Sequence, residues 1–259
     1  MVVTTPDRAG ESGAPTFRLA YVPGVTPGKW VRIWSERQPD IRLELVALEV
    51  ADCAAAVAQG NVQMAITRLP DALRHGEAGP HHTIELYEET TVVVVPKDHV
   101  LTAGDELTLA DLADEQFLWP LDEPVAGFFA AGRPGTAVEH RPETTGDAIE
   151  LVATGIGVLL VPQSLARLHH RKDLVYRPVT DAPTGTVGLL WPAPTTELAD
   201  EFIGIVRGRK ATSSRGQSEP APKRSAKEKA AAKRAAREAA GKVPGKSGRK
   251  KPGVRPKRR

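Results

Sequence analysis

The sequence predicts an α/β fold followed by a basic tail that stays outside it, and three observations carry that prediction. Between residues 17 and 67, strand-like and helix-like stretches take turns, an order that implies parallel strands joined by crossover helices. Residues 90–96 (TTVVVVP) form an unbroken, mostly β-branched run, the pattern of a strand buried on both faces. From residue 207 to 259, 20 Lys and Arg stand against three Glu, a net +17; the whole chain carries +3, so residues 1–206 carry −14.

Each element has a local reason. Residues 17–23 (FRLAYVP) alternate apolar and polar and read as the first strand. Thr26 followed by Pro27 predicts a helix start, with the hydroxyl capping free amides and proline at the first helical position. That helix should end near Gln38, because Pro39 disfavours helical geometry just before it. Residues 41–48 (IRLELVAL) read as a strand, 51–59 as a small-residue helix stopped by Gly60, and 62–67 as a third strand. After the buried run come LTLADL at 107–112, a short apolar piece at 117–121 and a glycine-rich stretch at 127–135. A helix over about 147–154 and a strand over about 157–161 follow. A strand at 187–191 and a helix over about 196–207 close the body, and there is no internal repeat.

Composition narrows the function classes. Cys53 is the single cysteine, so no intramolecular disulfide can form, which fits a reducing compartment. The first fifteen residues contain Asp7, Glu11 and two glycines and lack the apolar run of a secretory signal. No stretch approaches the ~20 apolar residues of a membrane span. The expectation is a cytoplasmic protein with no membrane partner.

The order of motifs resembles the effector-binding (substrate-binding) domain of LysR-type transcriptional regulators over residues 16–206. Five stretches carry the resemblance: the opening strand and helix ending in QPDIRLEL, QGNVQMAI at 59–66, LYEETTVVVVPKDHVL at 86–101, LTLADLADEQFL at 107–118 and ELVATGIGVLLVPQSLA at 150–166. The resemblance implies a type 2 periplasmic-binding-protein-like fold, two α/β lobes with a ligand cleft between them. Lobe I would comprise 16–95 and 183–206, lobe II 97–180, with hinges near Pro96 and near 179–183. It also implies a small-molecule effector, a role in transcription and a homodimer. Family members carry a winged helix-turn-helix ahead of this domain, whereas only about fifteen residues, a disordered leader at 1–15, precede the first strand here. The expected protein is therefore regulator-like without its own sequence reader.

In the resembling fold, ligands meet strand C-termini and helix N-termini, which favour anions through free amides and the helix dipole. The matching positions are Gly24, Val25 and Thr26 in the first loop, Lys29 in the first helical turn, and Thr67 and Arg68 after the third strand. Trp119, Asp122, Thr144, Thr145 and Gly146 complete the set in lobe II. Lys29 and Arg68 together would suit a small carboxylate; alternatively, Thr26 is only a cap and the two cations are solvated surface groups. Gly24, Pro27 and Gly28 crowd the loop where the family often places Ser or Thr. A cleft that has lost its ligand and persists as an interaction scaffold, associated with RNA or the ribosome, is the competing reading.

Other chemistries find no support. Gly155 and Gly157 lack a third glycine, Leu160 standing in its place, and the segment precedes a strand, so it is no dinucleotide fingerprint. The adjacent pairs His81–His82 and His169–His170 lack the spacing of a helix-borne metal site, and Cys53 has no partner at metal spacing. Ser35 and Ser164 are the only serines of residues 16–206, neither lies in a G-x-S-x-G motif, and Glu88–Glu89 would point to opposite faces of a strand. The expectation is a non-enzyme without cofactor or metal.

The tail at 207–259 has no Phe, Tyr or Trp and cannot bury enough apolar surface to offset its chain entropy. The capping-box pattern Ser225–Glu228 and the alanine-rich run ending at Gly241 predict a helix over about 226–240, frayed in free solution. Its composition resembles the tails of actinobacterial histone-like proteins. Nucleic acid is the expected partner, with nucleoid association, through Lys223, Arg224, Lys227, Lys229, Lys233, Arg234, Arg237, Lys242, Lys246, Arg249, Lys250, Lys251, Arg255, Lys257, Arg258 and Arg259. Such contacts neutralise phosphates without reading base edges.

Overall fold

The computed structural model of the chain describes residues 15–74, 81–122 and 134–209. The leader up to residue 14, most of the glycine-rich stretch and the tail from 210 onward, with its expected helix and every expected nucleic-acid contact, lie outside the described residues. Those described belong to one compact unit that ends at Ser213. In chain order its elements are β1 (Thr16–Tyr21), α1 (Gly28–Arg37), β2 (Arg42–Ala47), α2 (Val50–Ala58), β3 (Met64–Arg68), α3 (Asp71–Arg74), β4 (His81–Glu89) and β5 (Thr91–Pro96). There follow β6 (Gln116–Phe117), β7 (Thr136–Ala137), α4 (Thr145–Ala153), β8 (Leu159–Pro162), α5 (Gln163–Leu168), β9 (Leu174–Pro178), β10 (Gly185–Pro192) and α6 (Glu197–Val206).

Two main sheets divide the body into lobes. The first has the order β2-β1-β3-β10-β4. The alternating elements of the chain's start form its parallel part: β1 runs parallel to β2 (Phe17 beside Leu43) and to β3 (Ala20 beside Ala65), as the crossover helices require. β10 then enters antiparallel between β3 and β4. Phe17 and Leu19 of β1, Trp34 of α1, Met64 and Ile66 of β3 and Phe202 of α6 make its fully buried centre. Trp34 stacks on Phe17 with ring centroids 4.6 Å apart and donates its indole N–H to the Ile41 carbonyl at 3.0 Å. Such a bond removes the cost of burying the polar end of the ring.

The second sheet has the order β8-β5-β9, with β5 antiparallel to both neighbours. Val93 and Val95 face one cluster with Leu112 and Phe117, while Val92 and Val94 face another with Leu118, Ile149 and Leu159. Because layers cover both faces, the β5 sequence need not alternate.

Two expectations change in detail. β5 belongs to the second lobe, so the chain first crosses between lobes at Thr90 rather than near Pro96. A strand buried on both faces sits in the centre of β8-β5-β9, not beside the one-neighbour edge strand β4. The return crossing lies between β9 and β10, at 179–184, and is tied to the first: the Val179 amide donates to the Thr91 carbonyl and the Thr91 hydroxyl to the Pro183 carbonyl. Thr26 does not cap α1. Pro27 is the N-cap, its carbonyl accepting from Trp30 and Val31, and Thr26 is exposed with no side-chain capping bond made. The cap of α6 falls where expected, the Thr196 side chain accepting from the Ala199 amide.

Candidate functional site

The parallel strands β1, β2 and β3 all end on the same side of the first sheet, so their following loops converge there. Facing them are the start of α4 and the helix α5 of the second lobe. Two neighbouring cavities lie between these walls. The larger, of about 620 Å³, is lined by Pro23, Glu49, Val50 and Arg68 on one side and by Leu121, Asp122, residues 143–146, Leu165, Leu168 and His169 on the other. The smaller, of about 540 Å³, is lined by Tyr21, residues 23–26 and Ala47 against Ser164, Arg167 and Leu168. Pro23 and Leu168 border both, and the volumes suit a small organic molecule.

Arg68, at the end of β3, ties the walls together. Its side chain is 5% exposed; Nε donates to Glu89 Oε2 at 2.8 Å, and Nη1 and Nη2 both donate to the Pro23 carbonyl at 3.1 Å. Nη2 also donates to Ser164 Oγ at 3.0 Å, a bond between lobes. Glu89 is equally buried, and its Oε1 has no hydrogen-bond partner among the described residues. Across the sheet surface, burial first and the Glu89 charge second raise the Tyr87 hydroxyl above its ordinary pKa, with Arg68 opposing. Gly24 explains why the walls can approach. Its φ of +86° favours glycine, and a Cβ there would lie 2.6 Å from Ser164 Oγ.

On the opposite wall, α4 begins with a complete capping box. Thr144 Oγ1 accepts from the Asp147 amide, and the Asp147 carboxylate accepts from the Thr144 amide. Asp122 adds a second carboxylate to this terminus, accepting from the Thr145 amide at 2.7 Å and from the Thr145 hydroxyl at 2.9 Å. The helix start thus holds two of the chain's own anions.

Of the residues singled out from the sequence, Gly24, Val25 and Thr26 line the smaller cavity and Arg68, Asp122, Thr144, Thr145 and Gly146 the larger. Three lie elsewhere. Lys29 is exposed on α1 and borders neither cavity, so it forms no pair with Arg68, and Arg68 itself is not a solvated cation. Thr67 is buried at 1% exposure, its hydroxyl donating to the Arg68 carbonyl at 3.4 Å. Trp119 is core, stacked on Phe117 with centroids 5.6 Å apart. The sequence reading missed Pro23, Glu49, Ser164, Leu168 and His169 as lining residues. The signal available was the segment after β8, whose PQSLARLHH spacing puts Ser164, Leu168 and His169 on or just past one short helix. Among the described residues no group of three or more His, Cys, Asp or Glu is placed to hold a metal ion. No described helix is long and apolar enough to cross a membrane.

The comparisons with known proteins agree with this fold. The chain is 30% identical over 184 residues to the HTH-type transcriptional regulator CatR of Pseudomonas putida, covering 68% of this chain and 61% of that protein. It is 26% identical over 208 residues to the Hca operon transcriptional activator HcaR of Escherichia coli, covering 76% and 66%. It therefore spans less than two thirds of the length of these curated relatives. Among solved structures, the BenM effector binding domain with its effector benzoate superposes with a TM-score of 0.63 at 21% identity, covering 76% of this chain and 92% of that one. The reduced form of OxyR gives 0.62 at 19%, covering 77% and 97%. A family model described as the LysR substrate binding domain matches residues 10–211, and the chain belongs to that family.

Proposed function

We propose that the chain is a non-enzymatic sensor that takes a small-molecule effector in the cleft between its lobes and contacts nucleic acid through its basic tail. The observation that carries the first half is the pair of cavities bounded by both lobes at the ends of β1, β2 and β3. A molecule held there touches both walls and can bias their spacing only through such two-sided contact. The relatives' description as transcriptional regulators supports a role in transcription; a cytoplasmic homodimer belongs to the same proposal. The test is a thermal-shift screen of the full chain against small molecules of every charge class, repeated on Leu168→Trp. Leu168 is 55% exposed and borders both cavities, so tryptophan fills the cleft without disturbing the core. Ligands that stabilise the natural chain and not the variant support the reading; stabilisation that survives Leu168→Trp refutes it.

The second half rests on the charge of +17 at 207–259. If about six cations meet duplex phosphates at roughly −0.9 each, the slope of log affinity against log salt is near −5. Fluorescence anisotropy with DNA, comparing the full chain with one ending at Arg209, measures it. Equal binding by both chains refutes the assignment. A ligand-free scaffold associated with RNA or the ribosome is the second reading, favoured by one observation: Glu89, Ser164 and Asp122 already satisfy Arg68 and the start of α4. Absence of any cleft ligand, with salt-sensitive co-purification with ribosomes, would decide for it.

A further inference from the structure

We infer that the larger cavity selects a positively charged organic ligand, an amine with an apolar body, rather than the carboxylate that the sequence suggested. This rests on the cleft being a ligand site and names the chemistry that site takes. Among the described residues, the acidic and basic groups on its lining include Glu49, Asp122 and Glu143 on one side of the balance and the Arg68 guanidinium on the other. That guanidinium is engaged by Glu89, the Pro23 carbonyl and Ser164 and offers no unused fork to an incoming anion. Asp122 already holds the Thr145 amide that a ligand carboxylate would otherwise use.

Glu49 and Glu143 differ from Asp122. Both are exposed and have no ion pair among the described residues, and they stand on opposite walls. A cation bound between the two walls meets a carboxylate on each side. Apart from Thr144, Thr145 and His169, the rest of the described lining is apolar or glycine. Leu121 and Leu168 are 58% and 55% exposed, large apolar faces that a hydrocarbon body would cover, with Val50 and Leu165 behind them. The exposed apolar faces of Leu121 and Leu168 give an organic cation a body to place there. Among the described residues the smaller cavity has no carboxylate on its lining, so the preference belongs to the larger one.

The experiment is isothermal titration of the full chain with phenethylamine and with 3-phenylpropanoate, which share an aromatic-ethyl body and differ in charge. The amine should bind at least about tenfold more tightly than the carboxylate. Glu49→Gln and Glu143→Gln should each weaken the amine several-fold and leave the urea midpoint unchanged, because both side chains are exposed. Tighter binding of the carboxylate, or amine binding untouched by both substitutions, overturns the inference. If neither probe binds while the broader screen yields a neutral or anionic ligand lost in Leu168→Trp, the ligand class alone is refuted. If no ligand of any charge depends on Leu168, the cleft reading fails with it.

Discussion

Glu89→Gln should cost about 3–5 kcal/mol of folding stability, the penalty for leaving a buried guanidinium without its counter-charge. The magnitude follows from the geometry. Both side chains are 5% exposed, the charged atoms are 2.8 Å apart, and the remaining bonds of Arg68 run to a neutral carbonyl and a hydroxyl. In a body of roughly 190 residues each kcal/mol moves Tm by about 2–4 °C, so the fall is on the order of 6–20 °C. Arg68→Met alone should cost a similar amount, because it strands Glu89 instead. The double variant Arg68→Met/Glu89→Leu should recover most of the loss, since an apolar pair of like volume replaces two desolvated charges. Urea unfolding, followed by tryptophan fluorescence and circular dichroism, supplies the four corners of the cycle. The reasoning is refuted if Glu89→Gln costs less than about 1 kcal/mol, or if the double variant loses the sum of the singles.

Gly24→Ala should lose about 1–3 kcal/mol, combining the positive φ with the contact to Ser164 Oγ; pairing it with Ser164→Gly should restore the steric part and leave the backbone part, read from urea midpoints. Thr144→Ala removes the capping box of α4 and should cost about 1 kcal/mol, visible as a lower midpoint without loss of the fold. Burial, its largest cause, holds the Cys53 thiol above its ordinary pKa. The folded state therefore favours the neutral thiol, and its contribution is whole below the unfolded value of about 8.5 and lost as pH rises above it. With Ellman's reagent at about pH 8 the native chain should show no reactive thiol and the denatured chain one; rapid native reaction would contradict the burial.

The first sheet's parallel strands could be read from the chain because their signals are local. Pro39 ends α1, Gly60 (φ +72°) ends α2, and β1 and β2 each have their own apolar alternation. The valine run announced β5 but not its lobe, because membership depends on Leu160 and Tyr176, far along the chain, as pairing partners. β4 escaped notice: HHTIELYEE carries a polar outer face and pairs with β10 alone, so nothing nearby marks it as a strand. α5, six residues long, and β9, five residues closed by a proline, are too short for periodicity to show. At the cleft the same limit applies. The loops could be placed by topology, yet the counter-ion of Arg68 lies 21 residues away and its serine partner 96, so an arginine at a strand end read as a surface group. Lys29 and Trp119 were chosen by position alone, and their side chains turn elsewhere.

The position of β10 constrains the order of assembly on the ribosome. β5, β8 and β9 are all made before residue 179, so the second lobe has its whole sheet while the first still lacks a strand. β4, synthesised a hundred residues earlier, has no neighbour until Gly185–Pro192 emerges and slots between it and β3. During translation the nascent chain therefore carries an open sheet edge beside a finished lobe, and the last strand and helix of the body complete the first lobe.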